Sequence, residues 1–140
     1  MLEEKQNLWL FKTDPETYSW SDLLKTKKET WDGVSNNLAL KHLRALRKGD
    51  YVFIYHSGDD KAIIGIAAAL SNSYPDPSKE DSKLAVVDIA PLEALKKPVT
   101  LFEIKGNAKL KSWELVRLSR LSVMPVTETQ WNEVLHLSKL

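Results

Sequence analysis

Residues 50–70, DYVFIYHSGDDKAIIGIAAAL, constrain the fold more than any other stretch of this 140-residue sequence. Two apolar runs flank SGDD, and a short break containing Gly and Asp between such runs signals a β-hairpin. Two strands in direct succession interrupt the strand–helix alternation that a doubly wound parallel sheet requires. The remaining segments agree. LWLFKT, residues 8–13, reads as a first strand stopped at Asp14-Pro15, because proline lacks an N–H and holds its predecessor extended. Ser19 with Asp22, Thr100 with Glu103 and Thr127 with Gln130 have the spacing of capping boxes that open helices. LAVVDI, residues 84–89, reads as a strand, and VRLSRLSVMPV alternates well enough for a last one. The order is strand, helices, strands, helix, strand, helix. It predicts an α+β chain, a mixed β-barrel with peripheral helices, spanning residues 1–140 as a single domain.

One helix is amphipathic. After Asn36 or Asn37, either of which can cap free N–H groups, Ala39, Leu43 and Leu46 share a face while Lys41, Arg44 and Arg47 point elsewhere. Gly49 is expected to end it. Residues 71–83, SNSYPDPSKEDSK, read as a long surface loop.

Composition narrows the function. Apolar content of 43% and charged content of 28% are ordinary for a globular domain, and a formal net charge of +1 announces no global attraction to polyanions. Basic residues nevertheless cluster at Lys41, Arg44, Arg47 and Lys48, and again at Lys105, Lys109, Lys111, Arg117 and Arg120. No apolar run approaches the ~20 residues that span a bilayer. The opening MLEEKQNLWLFK is acidic and only briefly apolar, unlike a signal peptide. With no cysteine there is no disulfide framework or thiolate metal site, and a cytoplasmic protein is expected.

Catalytic patterns are missing from the sequence. His42, His56 and His136 are far apart and fit no metal-ligand spacing, and there is no GxSxG, phosphate loop or GxGxxG. His56 and Ser57 are adjacent on a strand, so their side chains diverge. A hydrolytic reading would have to combine Asp14, Asp32 and His56. No metal and no cofactor is expected.

What remains is recognition chemistry in TWDGVSNN, residues 30–37. A flat heteroaromatic ligand needs a π-face, and stacking contributes ~1–3 kcal/mol per base. Trp31 offers one in a loop before the helix. Beside it stand Asp32 and Gly33, and Ser35, Asn36 and Asn37 offer donors and acceptors for a base edge. Tyr55 and Ser57 at the hairpin's first strand end could form a second wall. Each residue also has a plainer role: Trp31 as a core indole, Asn36 as a helix cap, Tyr55 facing the interior.

WLFKTDPETYSWSDL resembles the opening motif of EVE-domain proteins, and WDGVSNNLALKHLRALRKGDYVFIYHS resembles their W-D-G-V-R-N helix block and F-Y-H-S strand end. Later blocks follow in the same order, so the likeness runs from about Trp9 to Trp131. It implies a PUA-like barrel, related to the YTH readers of methylated adenine. It further implies a non-enzymatic module that binds a modified base in DNA or RNA. A separate effector protein would then act on what it finds. By motif, the implied ligand-binding residues are Lys12, Thr13 and Asp14; Trp31, Asp32, Val34 and Asn36; and Tyr55, His56 and Ser57. Trp31 would be the stacking wall, and Arg117 and Arg120 would meet flanking phosphates. Two positions depart from the pattern: Ser35 replaces a common arginine. Leu84 replaces a common tryptophan, where it would close an apolar wall of the pocket.

Overall fold

The computed structural model describes residues 6–140; the first five residues of the opening segment read above lie outside them. The hairpin forms as expected from β3 (Tyr51–His56) and β4 (Ala62–Ala69), antiparallel, with Tyr51 opposite Ala68. On the other side β3 pairs in parallel with β1 (Leu8–Thr13), so that Lys12 lies beside Tyr55 and Thr13 beside His56. The parallel pair is possible because α1 (Trp20–Thr26), β2 (Glu29–Trp31) and α2 (Asn37–Arg44) carry the chain across between the two strands.

The rest of the sheet grows outward from this centre. β5 (Tyr74–Pro75) and β2 both pair with β6 (Ala85–Thr100), which also pairs with β4. After α3 (Leu101–Lys105) and α4 (Glu114–Arg117), β7 (Val123–Pro125) returns antiparallel to β1, and α5 (Glu128–Ser138) follows. The hydrogen-bonded order is β2-β6-β4-β3-β1-β7. The sheet is strongly curled. Trp31 on edge strand β2 lies 5.3 Å, centroid to centroid, from Phe11 on β1, although three strands separate them in that order.

Buried side chains cover both faces of the sheet: Phe11 and Ile54 lie on the face toward Trp31, and their chain neighbours Leu10 and Phe53 on the opposite, outer face. On the outer side, Trp131 of α5 stacks on Phe53 at 3.8 Å. Helix α1 docks through Trp20, whose ring covers Gly65 of β4 so closely that a Cβ there would stand 2.7 Å from indole carbons. Glycine at 65 is therefore a packing requirement of the helix above it.

Local expectations fare differently from one another. All three capping boxes form, at Ser19/Asp22, Thr100/Glu103 and Thr127/Gln130. Asn36, not Asn37, caps α2, its Oδ1 accepting from the Ala39 N–H at 3.0 Å. The helix stops at Arg44 rather than running to Gly49; Leu46 is buried beyond its end, and Gly49 takes a positive φ of 93° in the following turn. Trp31 sits on strand β2, not in a loop, since β6 offers Val87 as its partner. The strand read at 84–89 begins one residue later and continues to Thr100. The last alternating segment splits, with Arg117 ending α4 and only Val123–Pro125 joining the sheet.

Candidate nucleic-acid interface

The ends of β1 and β2 and the start of α2 enclose a cleft of about 650 Å³. Seven of the sequence-derived residues line it together: Lys12, Thr13, Asp14, Trp31, Asp32, Val34 and Asn36. Ser35 and Arg120 complete that set at the rim. Thr17, Tyr18, Glu29, Thr30 and Ser122 also line it and were not singled out in sequence. Thr17 and Tyr18 belong to the turn between β1 and α1, inside the quoted opening motif; Glu29, Thr30 and Ser122 are placed by the pairing of β2 with β6 and of β7 with β1.

The aromatic side of the cleft is braced from below. Trp31 is buried, tilted 34° against Phe11, and meets Tyr18 edge-on with centroids 6.1 Å apart. The Tyr18 hydroxyl pairs with Thr26 Oγ1 at 2.9 Å, which fixes that ring. Thr13 Oγ1 donates to the Tyr18 carbonyl at 2.6 Å, holding the β1–α1 turn against the strand end.

The polar groups divide into occupied and free. Asp14 accepts from the Glu16 N–H and Glu29 from the Thr30 N–H, and Asn36 Oδ1 is committed to its cap. Asp32 and Ser35 are exposed and make no protein hydrogen bond among the described residues. The Asn36 amide NH₂ is likewise uncommitted. The free set therefore consists of a carboxylate acceptor, a hydroxyl and an amide donor around an aromatic wall. Lys12 is half-buried, donates to the Ser119 carbonyl at 2.8 Å and lies 5.8 Å over the Tyr55 ring. Burial holds its ammonium below the ordinary lysine range.

Five candidates lie elsewhere. Tyr55 is 3% exposed and sits beneath Lys12 as its strand neighbour rather than on the cleft surface. His56 is buried, and its Nε2 accepts from the Trp20 N–H at 3.0 Å, anchoring the start of α1. That bond requires an unprotonated Nε2, so the ring hydrogen is on Nδ1 and donates to Asp60 at 3.0 Å. Ser57 turns to β1, its N–H and hydroxyl both directed at the Thr13 carbonyl. Arg117 donates to the Ser112 carbonyl, away from the cleft. Leu84 lines a separate groove, because it precedes β6 and folds back beside β5.

Burial pushes the Tyr55 phenol up to about 12. An unfolded chain ionises the same group near 10. The folded state therefore holds the proton more tightly, so Tyr55's contribution to stability is complete below pH 10 and is lost as pH rises toward 12. Tyr55→Phe is expected to flatten the decline of the urea midpoint over that interval. Identical pH profiles for the two proteins would show that the phenol is not sequestered.

The EVE domain family model matches residues 7–137. The chain is 32% identical to thymocyte nuclear protein 1 of Rattus norvegicus over 167 aligned residues, covering 95% of this chain and 74% of the relative. An NMR structure of a Rhodopseudomonas palustris protein superposes with a TM-score of 0.90 at 39% identity, covering 95% of this chain and 93% of the other. Human THYN1 in complex with 5-methylcytosine-containing DNA superposes with a TM-score of 0.87 at 29% identity, covering 96% and 99%. The curled sheet with its peripheral helices is the PUA-like α+β fold expected from sequence. With nearly its whole length matched, the chain belongs to the EVE domain family.

Proposed function

We propose that the cleft binds one modified base of a nucleic acid, a 5-methylcytosine in DNA being the first candidate, and does so as a reader without bond-breaking chemistry. The observation that carries this is the convergence of Trp31, Asp32, Val34 and Asn36 on one concavity large enough for a nucleoside. An unstacked base lies against the indole. The Asp32 carboxylate accepts from the exocyclic amine, as carboxylates do with cytosine N4, and the Asn36 amide donates to a ring acceptor. Val34, nearly buried, faces the methyl group. Lys12 and Arg120 meet the phosphates on either side. The human relative solved with methylated DNA supports the ligand class, and a single RNA strand presents the same base edge. In favour of binding over catalysis, His56 is turned to the start of α1, so it does not join Asp14 and Asp32. A cellular partner acting on the captured site, and a cytoplasmic setting, belong to the same reading.

The test is a panel of short oligonucleotides carrying cytosine, 5-methylcytosine, 5-hydroxymethylcytosine or N6-methyladenine, as DNA and as RNA. Burying one methyl contributes about 0.8 kcal/mol, which is roughly a fourfold preference for 5-methylcytosine over cytosine. Equal affinity for every base, with all of it lost as salt rises, would leave only backbone attraction and sink the proposal.

A further inference from the structure

A second concavity, of about 130 Å³, opens where α2 ends, between Arg44, Ser73, Tyr74, Pro75, Ser82 and Leu84. Its construction is specific. The exposed Arg44 donates through one guanidinium nitrogen to the Lys83 carbonyl, which holds the cation at the groove mouth and leaves most of its five N–H donors free. Ser73 Oγ donates to the Arg44 carbonyl at 3.0 Å, tying the 71–84 loop to the helix end. Tyr74, Pro75 and Leu84 supply an aromatic and apolar floor.

The groove is also joined to the cleft. Thr30, which lines the cleft, donates to Asp88 Oδ1 at 2.8 Å. Tyr74, which lines the groove, donates to the same oxygen at 2.7 Å. One carboxylate oxygen thus spans the strip of sheet between the two concavities. On a second path, Asn36 of the cleft caps α2, and eight residues, about 12 Å of helix, lead to Arg44. Lys41 and Arg44 stand one turn apart on the exposed side of that helix, and neither has a carboxylate partner among the described residues.

We propose that this groove is a second subsite, which takes a nucleotide flanking the base held in the cleft: Arg44 binds its phosphate, and Tyr74, Pro75 and Leu84 support its sugar or base. The proposal rests on the reading of the cleft as a base pocket. A positively charged mouth over an apolar floor complements a nucleotide, whose anionic and flat apolar parts are covalently joined. The hydrogen-bonded strip through Asp88 makes the two concavities one continuous surface, so a single strand occupies both.

Two ligands separate this from the cleft reading: 5-methyl-2′-deoxycytidine as a free nucleoside, and a five-nucleotide DNA strand with the same base at its centre. In Arg44→Gln, nucleoside affinity is expected to equal wild type. Pentanucleotide affinity should fall about five- to tenfold, and the slope of log affinity against log salt should shrink by about 0.7. Ser82→Asp, which places a carboxylate at the exposed rim, should act in the same direction. Unchanged pentanucleotide affinity and slope in both variants would overturn the subsite and leave the cleft standing. Absence of nucleoside and pentanucleotide binding by the wild type would overturn the cleft reading, and the subsite with it.

Discussion

Asp50→Ala is expected to remove about 3–5 kcal/mol of folding stability, a large share of the 5–15 kcal/mol typical of a domain. Asp50 is 3% exposed and stands between the Arg47–Gly49 turn and β3. One carboxylate oxygen accepts from the Asn7 N–H at 3.0 Å; the other accepts from Trp9 Nε1 at 2.9 Å and from the Arg47 N–H at 3.0 Å. These donors come from β1, from the residue just before it, and from the turn after α2, so one side chain closes the parallel β1–β3 junction. Alanine leaves three donors without a partner, one of them the buried Trp9 Nε1 and two of them part-buried, and each such orphan costs ~1–3 kcal/mol. Asp50→Asn keeps the shape but replaces one acceptor oxygen by an NH₂ facing an N–H, so it should fall between alanine and wild type. Urea unfolding would decide the matter. A loss below about 1 kcal/mol for alanine would mean that water reaches the junction and replaces the carboxylate.

What the sequence disclosed follows from the range of the interactions involved. Ser19/Asp22, Thr100/Glu103 and Thr127/Gln130 could be read because a capping box is complete within four residues. The hairpin could be read because its turn is local. Strand β2 could not: three residues have no period of their own, and Glu29–Trp31 become a strand only because β6 lies alongside. The end of α2 is not legible, because Leu46 continues the apolar spacing although it is buried just beyond the helix. The cleft shows the same division. The side chains at the ends of β1 and the start of α2 were found through their motifs and do meet. Tyr55, His56 and Ser57 belong to an equally clear motif, but motif order says nothing about facing. Parallel pairing with β1 and the docking of α1 direct them to Lys12, Trp20 and Thr13 instead. Leu84 lies near the cleft in motif logic and in the neighbouring groove in space, because the 71–84 loop turns through β5 before β6 begins.

Trp31→Ala is expected to abolish base binding and to destabilise the fold as well. The indole is part of the core, against Phe11 and Tyr18, and truncating a buried tryptophan costs about 3–5 kcal/mol. Loss of stacking on its cleft-facing part removes a further ~1–3 kcal/mol from binding alone. Lost affinity in this variant is therefore ambiguous by itself, since a partly unfolded population also lowers the competent fraction. Asp32→Ala resolves it. Asp32 is exposed and makes no protein hydrogen bond among the described residues, so its removal should leave the thermal midpoint within a degree or two. The base, however, loses the acceptor for its exocyclic amine, and affinity for 5-methylcytosine DNA should drop about tenfold, in line with ~1–3 kcal/mol of discrimination for a good base contact. The two variants together give the pattern that only a base pocket produces: Trp31→Ala falls in both stability and binding, Asp32→Ala in binding alone. If Asp32→Ala binds as wild type while Trp31→Ala fails only in proportion to its unfolded fraction, the indole is a core residue and no base rests on it.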